Sequence, residues 1–242
     1  QSRPYIDVIR AQPGPPAGQA PQTPGQGGPG GRAAAASEGP KAYREVIPAT
    51  AVPDSGVFIV YRIAEKLFYE IPKATLGREF LWVSDQRGTI RGVGYAGEEI
   101  TNRVVRWERL GNRVLLRLVS YDMVADSNLP VSRAVRLSNQ APIIVSFDVA
   151  AFSPEDSNVV VEATKLFTTD VAELNLRQDR GVRVRSMDAS RSAIERARSF
   201  PRNIEVAAYQ TFAVDSVPGP AGTRADRSLN SLTMYMNFSM VL

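Results

Sequence analysis

From Leu229 to Leu242 the chain reads LNSLTMYMNFSMVL, and apolar groups fall at every second position: Leu232, Met234, Met236, Phe238 and Met240 oppose Thr233, Tyr235, Asn237 and Ser239. Side chains alternate across a strand and recur every 3.6 residues in a helix, so this period predicts a long strand with one face on a core. Asn203 to Val214 repeats the pattern with Ile204, Val206, Ala208, Phe212 and Val214, interrupted only by Gln210. Two such strands cannot be stable alone and require further strands to pair with.

The rest of the sequence supplies them. Val57 to Tyr61 and Leu67 to Ile71 are β-branched and aromatic, follow the turn-like Pro53-Asp54-Ser55-Gly56, and are split by Ala64-Glu65-Lys66, which predicts a hairpin. Thr75-Leu76-Gly77-Arg78 breaks the pattern before a strand over Glu79 to Ser84. In NRVVRWERLGNRVLLRLVSY, residues 102–121, two apolar-rich arms flank Gly111-Asn112, a pair suited to the positive φ angles of a tight hairpin. The second arm is apolar on both faces, with Val114, Leu116 and Leu118 opposing Leu115, Val119 and Tyr121. It is expected inside a sandwich or beneath a covering layer. Pro142 to Val149 and Asn158 to Glu162 are further strands.

One helix is expected, over residues 189–199. Asp188 caps it, Ala193, Ile194 and Ala197 form its stripe, and Pro201 stops it. The expected fold is therefore mainly β, with antiparallel sheets arranged as a sandwich or meander and one short helix. The domain spans residues 41–242, with a sub-boundary placed near 172–190.

The sequence contains no His and no Cys. Disulfides, thiolate nucleophiles, imidazole bases and ordinary zinc sites are thereby excluded from it, so no catalytic residue, metal ligand or cofactor site is expected. Lys and Arg total 29 against 25 acidic residues, a net charge of +4 that is too small and scattered to call for nucleic acid. No apolar run approaches the roughly 18 residues that span a bilayer as a helix.

Three local patterns invite a chemical reading. Gly92-Val93-Gly94-Tyr95-Ala96-Gly97 matches the dinucleotide fingerprint, but neither flank supplies the strand before or the helix after that the mechanism needs, so a loop or hairpin tip is expected. Arg103, Arg106, Arg109, Arg113 and Arg117 surround Trp107, yet alternation spreads them over both faces among acids such as Glu108, which predicts an ion-paired surface. The acidic loops at Ser153 to Asn158 and Asp122 to Asn128 lack calcium-loop spacing and read as turns.

Ahead of the domain, Ala11 to Pro40 holds eight Gly and seven Pro, a tether that cannot bury enough apolar area to order itself. Its reach is roughly 30 Å as a coil and about 90 Å extended. Residues 1–10 differ: Tyr5, Ile6, Val8 and Ile9 are strand formers, and Pro4 stands at the strand entrance. These four residues are the candidate interaction site, a strand that adds to an exposed sheet edge of its own β-domain or of a neighbouring identical subunit. Gln1 in place of Met predicts a mature terminus left by signal-peptide removal, hence an exported, periplasmic or extracellular protein.

The stretches at 56–84, 102–121, 141–149 (APIIVSFDV), 159–171 (VVVEATKLFTTDV) and 231–242 together resemble the N-terminal region of large exported bacterial zinc-dependent metalloproteases. In that family such segments are domains of unknown function ahead of a peptidase domain with an HExxH helix. The resemblance implies a non-catalytic accessory or pro-region that covers a downstream peptidase domain or presents substrate to it. The alternative is a structural subunit of an extracellular filament or oligomer, assembled by N-terminal strand donation. A hydrolase using paired carboxylates has no recognisable acid spacing to support it.

Overall fold

A computed structural model describes residues 39–90, 92–123, 125–126, 128–154, 157–175, 182–217, 228 and 230–242, all within one unit, Ser37–Leu242. The strands are β1 (Pro53–Ser55), β2 (Ile59–Ile63), β3 (Lys66–Ile71), β4 (Glu79–Gly88), β5 (Glu98–Leu110), β6 (Arg113–Val119), β7 (Ile143–Phe152), β8 (Val159–Glu162), β9 (Arg183–Met187), β10 (Ala193–Ser199), β11 (Asn203–Ser216) and β12 (Ser231–Val241). They form a single sheet in the order β1-β2-β3-β8-β7-β6-β5-β4-β12-β11-β10, with β9 also on β11, and every strand pairing is antiparallel. The architecture is mainly β and antiparallel, as the alternation predicts, in one sheet rather than two.

Strand β7 bends the sheet. Ile143 to Asp148 pair with β6, Val149 to Phe152 pair with β8, and a register shift falls between Val149 and Ala151. Bulges of this kind increase local twist and turn corners. The sheet curls until its end strands approach: the Val57 N–H donates to Phe200 O at 2.7 Å, Ser199 Oγ to Phe58 O at 2.8 Å, and Arg62 Nη1 to Ile194 O at 3.1 Å. Gly56 is required at that seam, since a Cβ there would lie 2.4 Å from Phe200 O. The hairpin tips agree with the sequence, with Ala64 at φ 51° between β2 and β3 and Gly111 at φ 60° between β5 and β6.

The concave face holds the core. Phe58 meets Tyr69, Phe80 and Trp107 edge-on at 5.7, 5.6 and 5.9 Å between centroids. Helix α3 (Thr164–Thr168) enters this space, stacking Phe167 on Trp82 at 5.9 Å and burying Leu166, Phe167 and Thr168. Gln210, the one polar break in the β11 stripe, faces the same space and donates to Phe167 O at 3.0 Å and Asn175 Oδ1 at 3.1 Å. The interruption in the pattern is thus a clamp on the inserted segment. The β12 stripe, Leu232 through Met240, is buried, and Trp107 Nε1 donates to Met240 Sδ at 3.2 Å.

The helix expected over 189–199 is a correction. A single 3-10 turn spans Ala189–Arg191, capped by Asp188, and Ala193–Ser199 is strand β10. The register of β10 on β11 slips between Ile194 and Arg196, leaving Glu195 bulged out. That extra residue places Ile194 and Ala197 on the same side three positions apart, which reproduces helical spacing in a strand. Helices lie elsewhere: α1 (Tyr43–Val46), α2 (Val131–Ser138), which follows Pro130, and α3. Among the described residues no helix is long and apolar enough to cross a membrane.

Candidate functional site

On the convex face, the segment 41–51 lies over β2, β3, β8 and β7. Ile47, Tyr61, Phe68, Ala151 and Val160 form a second, smaller apolar cluster there, with Tyr43, Val46, Ala51, Ile59 and Ile63 packed on it. From Leu67 onward strand β3 is therefore buried on both faces: Leu67, Tyr69 and Ile71 point inward, while Phe68 and Glu70 point beneath this cover.

Glu70 is 3% exposed, and its carboxyl group takes three neutral donors: Tyr43 OH at 2.8 Å and Tyr61 OH at 3.5 Å on Oε2, and Asn158 Nδ2 at 3.0 Å on Oε1. The two phenol oxygens are 3.2 Å apart. Burial first, then the hydrogen bonds to Tyr61 and Glu70, push the Tyr43 phenol well above its ordinary value. Among the described residues no guanidinium or ammonium forms an ion pair with Glu70. A recess of about 380 Å³ opens over this group, lined by Ile47, Pro48, Ala51, Ile59, Arg44 and Ser153. Arg44 is exposed, with its guanidinium 5.8 Å from the centroid of the Tyr43 ring.

Sequence reading counted Glu70 only as part of a strand. The signal that singles it out was present: it is the one charged residue in Leu67 to Ile71, at a strand position apolar on both sides. What that run does not contain is the cover from residues 41–51, which turns an outward position into a buried one.

The candidate interaction residues Tyr5, Ile6, Val8 and Ile9, and the Gly/Pro tether, lie outside the described residues. The end of the tether is described. Lys41 pairs in parallel with Ala151, and its N–H donates to Ala150 O at 2.8 Å, so the chain enters the domain alongside β7. Among the described residues each half of β7 pairs with one strand, Ile143 to Asp148 with β6 and Val149 to Phe152 with β8.

The fingerprint-like glycines form the β4–β5 connection. Gly92, Gly94 and Gly97 have φ of 89°, 66° and 86°, Val93 is fully buried, and Gln86 Nε2 donates to Val93 O and Tyr95 O. No helix follows, and β5 begins at Glu98. The arginine hairpin is ion-paired on its surface: Arg106 and Arg117 share Glu108 at 2.7 and 2.6 Å, and Arg113 faces Asp148 at 3.5 Å. Trp107 is wholly buried, so no indole is offered for stacking. Both acidic loops contain turns, with Asn128 N bonded to Asp126 Oδ1 at 2.9 Å and Ser153 N to Asn158 O at 2.9 Å. No cluster of three or more acidic residues with metal-binding geometry occurs among the described residues.

A family model for a domain of unknown function, DUF5117, matches residues 97–242, more than half of the chain. The chain belongs to the DUF5117 family. A second domain of unknown function, DUF5118, matches residues 40–89. No curated protein and no solved structure matches the chain. The two matched segments meet at the glycine-rich connection, yet they share one sheet. Of the DUF5118 strands, β3 pairs with β8 while β4 lies between β5 and β12 of the DUF5117 segment.

Proposed function

We propose that this chain is a non-catalytic, β-rich accessory region of an exported zinc metalloprotease-like protein, and that it works by backbone pairing, with Tyr5 to Ile9 added as a strand along β7. The observation that carries this reading is the parallel pairing of Lys41 with Ala151, because the tether reaches the domain already aligned with that strand. Strand addition draws affinity from main-chain hydrogen bonds and selectivity from alternate side chains, here Ile6 and Val8. The sequence resemblance to metalloprotease N-terminal regions supplies the accessory role. The absence of His from the sequence leaves it without the residues of an HExxH site.

Comparing the intact chain with one lacking residues 1–10 by light scattering and by amide exchange at Ile143 to Phe152 tests the proposal. Docking within one chain leaves both proteins monomeric and speeds exchange in β7 after truncation. Donation between subunits makes the intact chain oligomeric and the truncated one monomeric. Identical mass and identical β7 exchange would reject strand addition, and a chelator-resistant peptidase rate in the pure protein would reject the non-catalytic role.

A further inference from the structure

We propose that the recess over Glu70 is a binding site for an organic cation on a short hydrocarbon stem, of the kind a lysine or arginine side chain of a peptide presents. The inference is independent of strand addition at β7.

Three features of the recess converge on this ligand. First, its floor is a carboxyl group that is 3% exposed and has only neutral hydrogen-bond partners among the described residues. Charges buried to that degree are paired with an opposite charge or neutralised, and a cation delivered from outside supplies the missing partner. Oε1 accepts a single bond, from Asn158, which leaves an acceptor position for an ammonium or guanidinium donor. Second, Tyr43 and Tyr61 line the recess with their phenol oxygens 3.2 Å apart beside the carboxyl, and a hydroxyl oxygen can accept a further hydrogen bond from an ammonium or guanidinium. Third, Ile47, Pro48, Ala51 and Ile59 provide an apolar wall against which methylene groups pack while the charged head reaches the floor. A volume of about 380 Å³ suits one long side chain and falls at the small end of ligand pockets.

The hydrogen bonds at Glu70 also fasten the segment 41–51 to the sheet, through Tyr43. Fastening accounts for the donors but not for the open space beside them, nor for the choice of a chargeable group over an amide. Arg44 at the mouth makes no ion pair with Glu70, and its exposed guanidinium is free to meet the carboxylate or carbonyl groups of a peptide that carries the cation.

The test uses three probes of matched length on the full chain: n-pentylammonium, 1-pentanol and pentanoate. The readout is the methyl NMR shifts of Ile47, Ile59 and Ala51. Saturable shifts are expected with pentylammonium, with pentanol about tenfold weaker, the worth of one charge-assisted hydrogen bond, and with pentanoate absent. Glu70→Gln should bring pentylammonium down to the level of pentanol. Ala51→Leu, which narrows the recess without touching the polar group, should weaken pentylammonium binding even if the Glu70 variant does not fold. Equal binding of pentanol and pentylammonium, retention of cation binding in Ala51→Leu, or no saturable response in the millimolar range would each overturn the assignment.

Discussion

The inner face of β3 places Tyr69 against Phe58 and Trp107, edge-on at 5.7 and 6.2 Å between centroids, while the outer face, one residue further on, places Glu70 against two phenols and an amide. Both positions are almost wholly buried, at 1% and 3% exposure. The inner position is enclosed by aromatic rings, two of them, Trp107 and Phe167, from elements far away in sequence. Its outer neighbour is roofed by a short local segment that leaves a recess over a chargeable group. The same degree of burial therefore serves two ends: packing on one side, and an enclosed polar site on the other. A close-packed core leaves few voids, whereas a polar group under a cover demands a partner.

The largest expected effect comes from removing one side of the sheet's shared construction. Residues 97–242 expressed alone lose β4 from between β5 and β12, and with it Phe80 and Trp82 from the core. That fragment is expected to show no cooperative thermal transition, and a native-like melt would break the view that both matched segments form one folding unit. Next, Tyr69→Ala should destabilise by about 3–5 kcal/mol, the usual range for deleting a buried ring. Glu70→Ala should cost less, about 1–3 kcal/mol, because it strands donors without opening the aromatic cluster. Urea unfolding of both variants measures the ratio, and a larger loss at Glu70 would reverse the comparison.

Alkaline pH bears on both faces, since burial pushes the Tyr69 phenol up as well. The Tyr43 phenol titrates above its ordinary value of 10.0 in the folded protein, so the stability linked to it is complete below that value and lost as pH rises through the folded one. Tyr43→Phe should therefore flatten the fall in urea midpoint above about pH 10, and an unchanged slope would contradict the upward shift that burial and the hydrogen bonds to Tyr61 and Glu70 give this phenol. The smallest effect is expected at an exposed counterpart. Tyr235 also donates to a carboxylate, Glu195, but on open surface, and Tyr235→Phe should shift stability by less than about 0.5 kcal/mol.

Much of the sheet was legible because its strands keep period two. Gly111 and the break at Ala64-Glu65 marked hairpin tips through their turn chemistry, and β11 and β12 stood out by length. Strand β10 was misread because one bulged residue, Glu195, converts alternation into the three-residue spacing of a helix. Helix α3 was hidden for a different reason. Its Leu166 and Phe167 are buried by strands distant in the chain, so no local stripe distinguishes it from the end of β8. The Glu70 site was out of reach for a similar cause: one residue is visible in β3, but its partners lie 9, 27 and 88 positions away.

The central claim is that the chain contributes a pairing surface, with its leading residues laid along β7. Amide hydrogen exchange of Ile143 to Phe152, in the intact protein and in one lacking residues 1–10, tests it most directly. The account predicts slow exchange along β7 in the intact chain and markedly faster exchange once Tyr5 to Ile9 are gone. Superimposable exchange curves for the two proteins would contradict it.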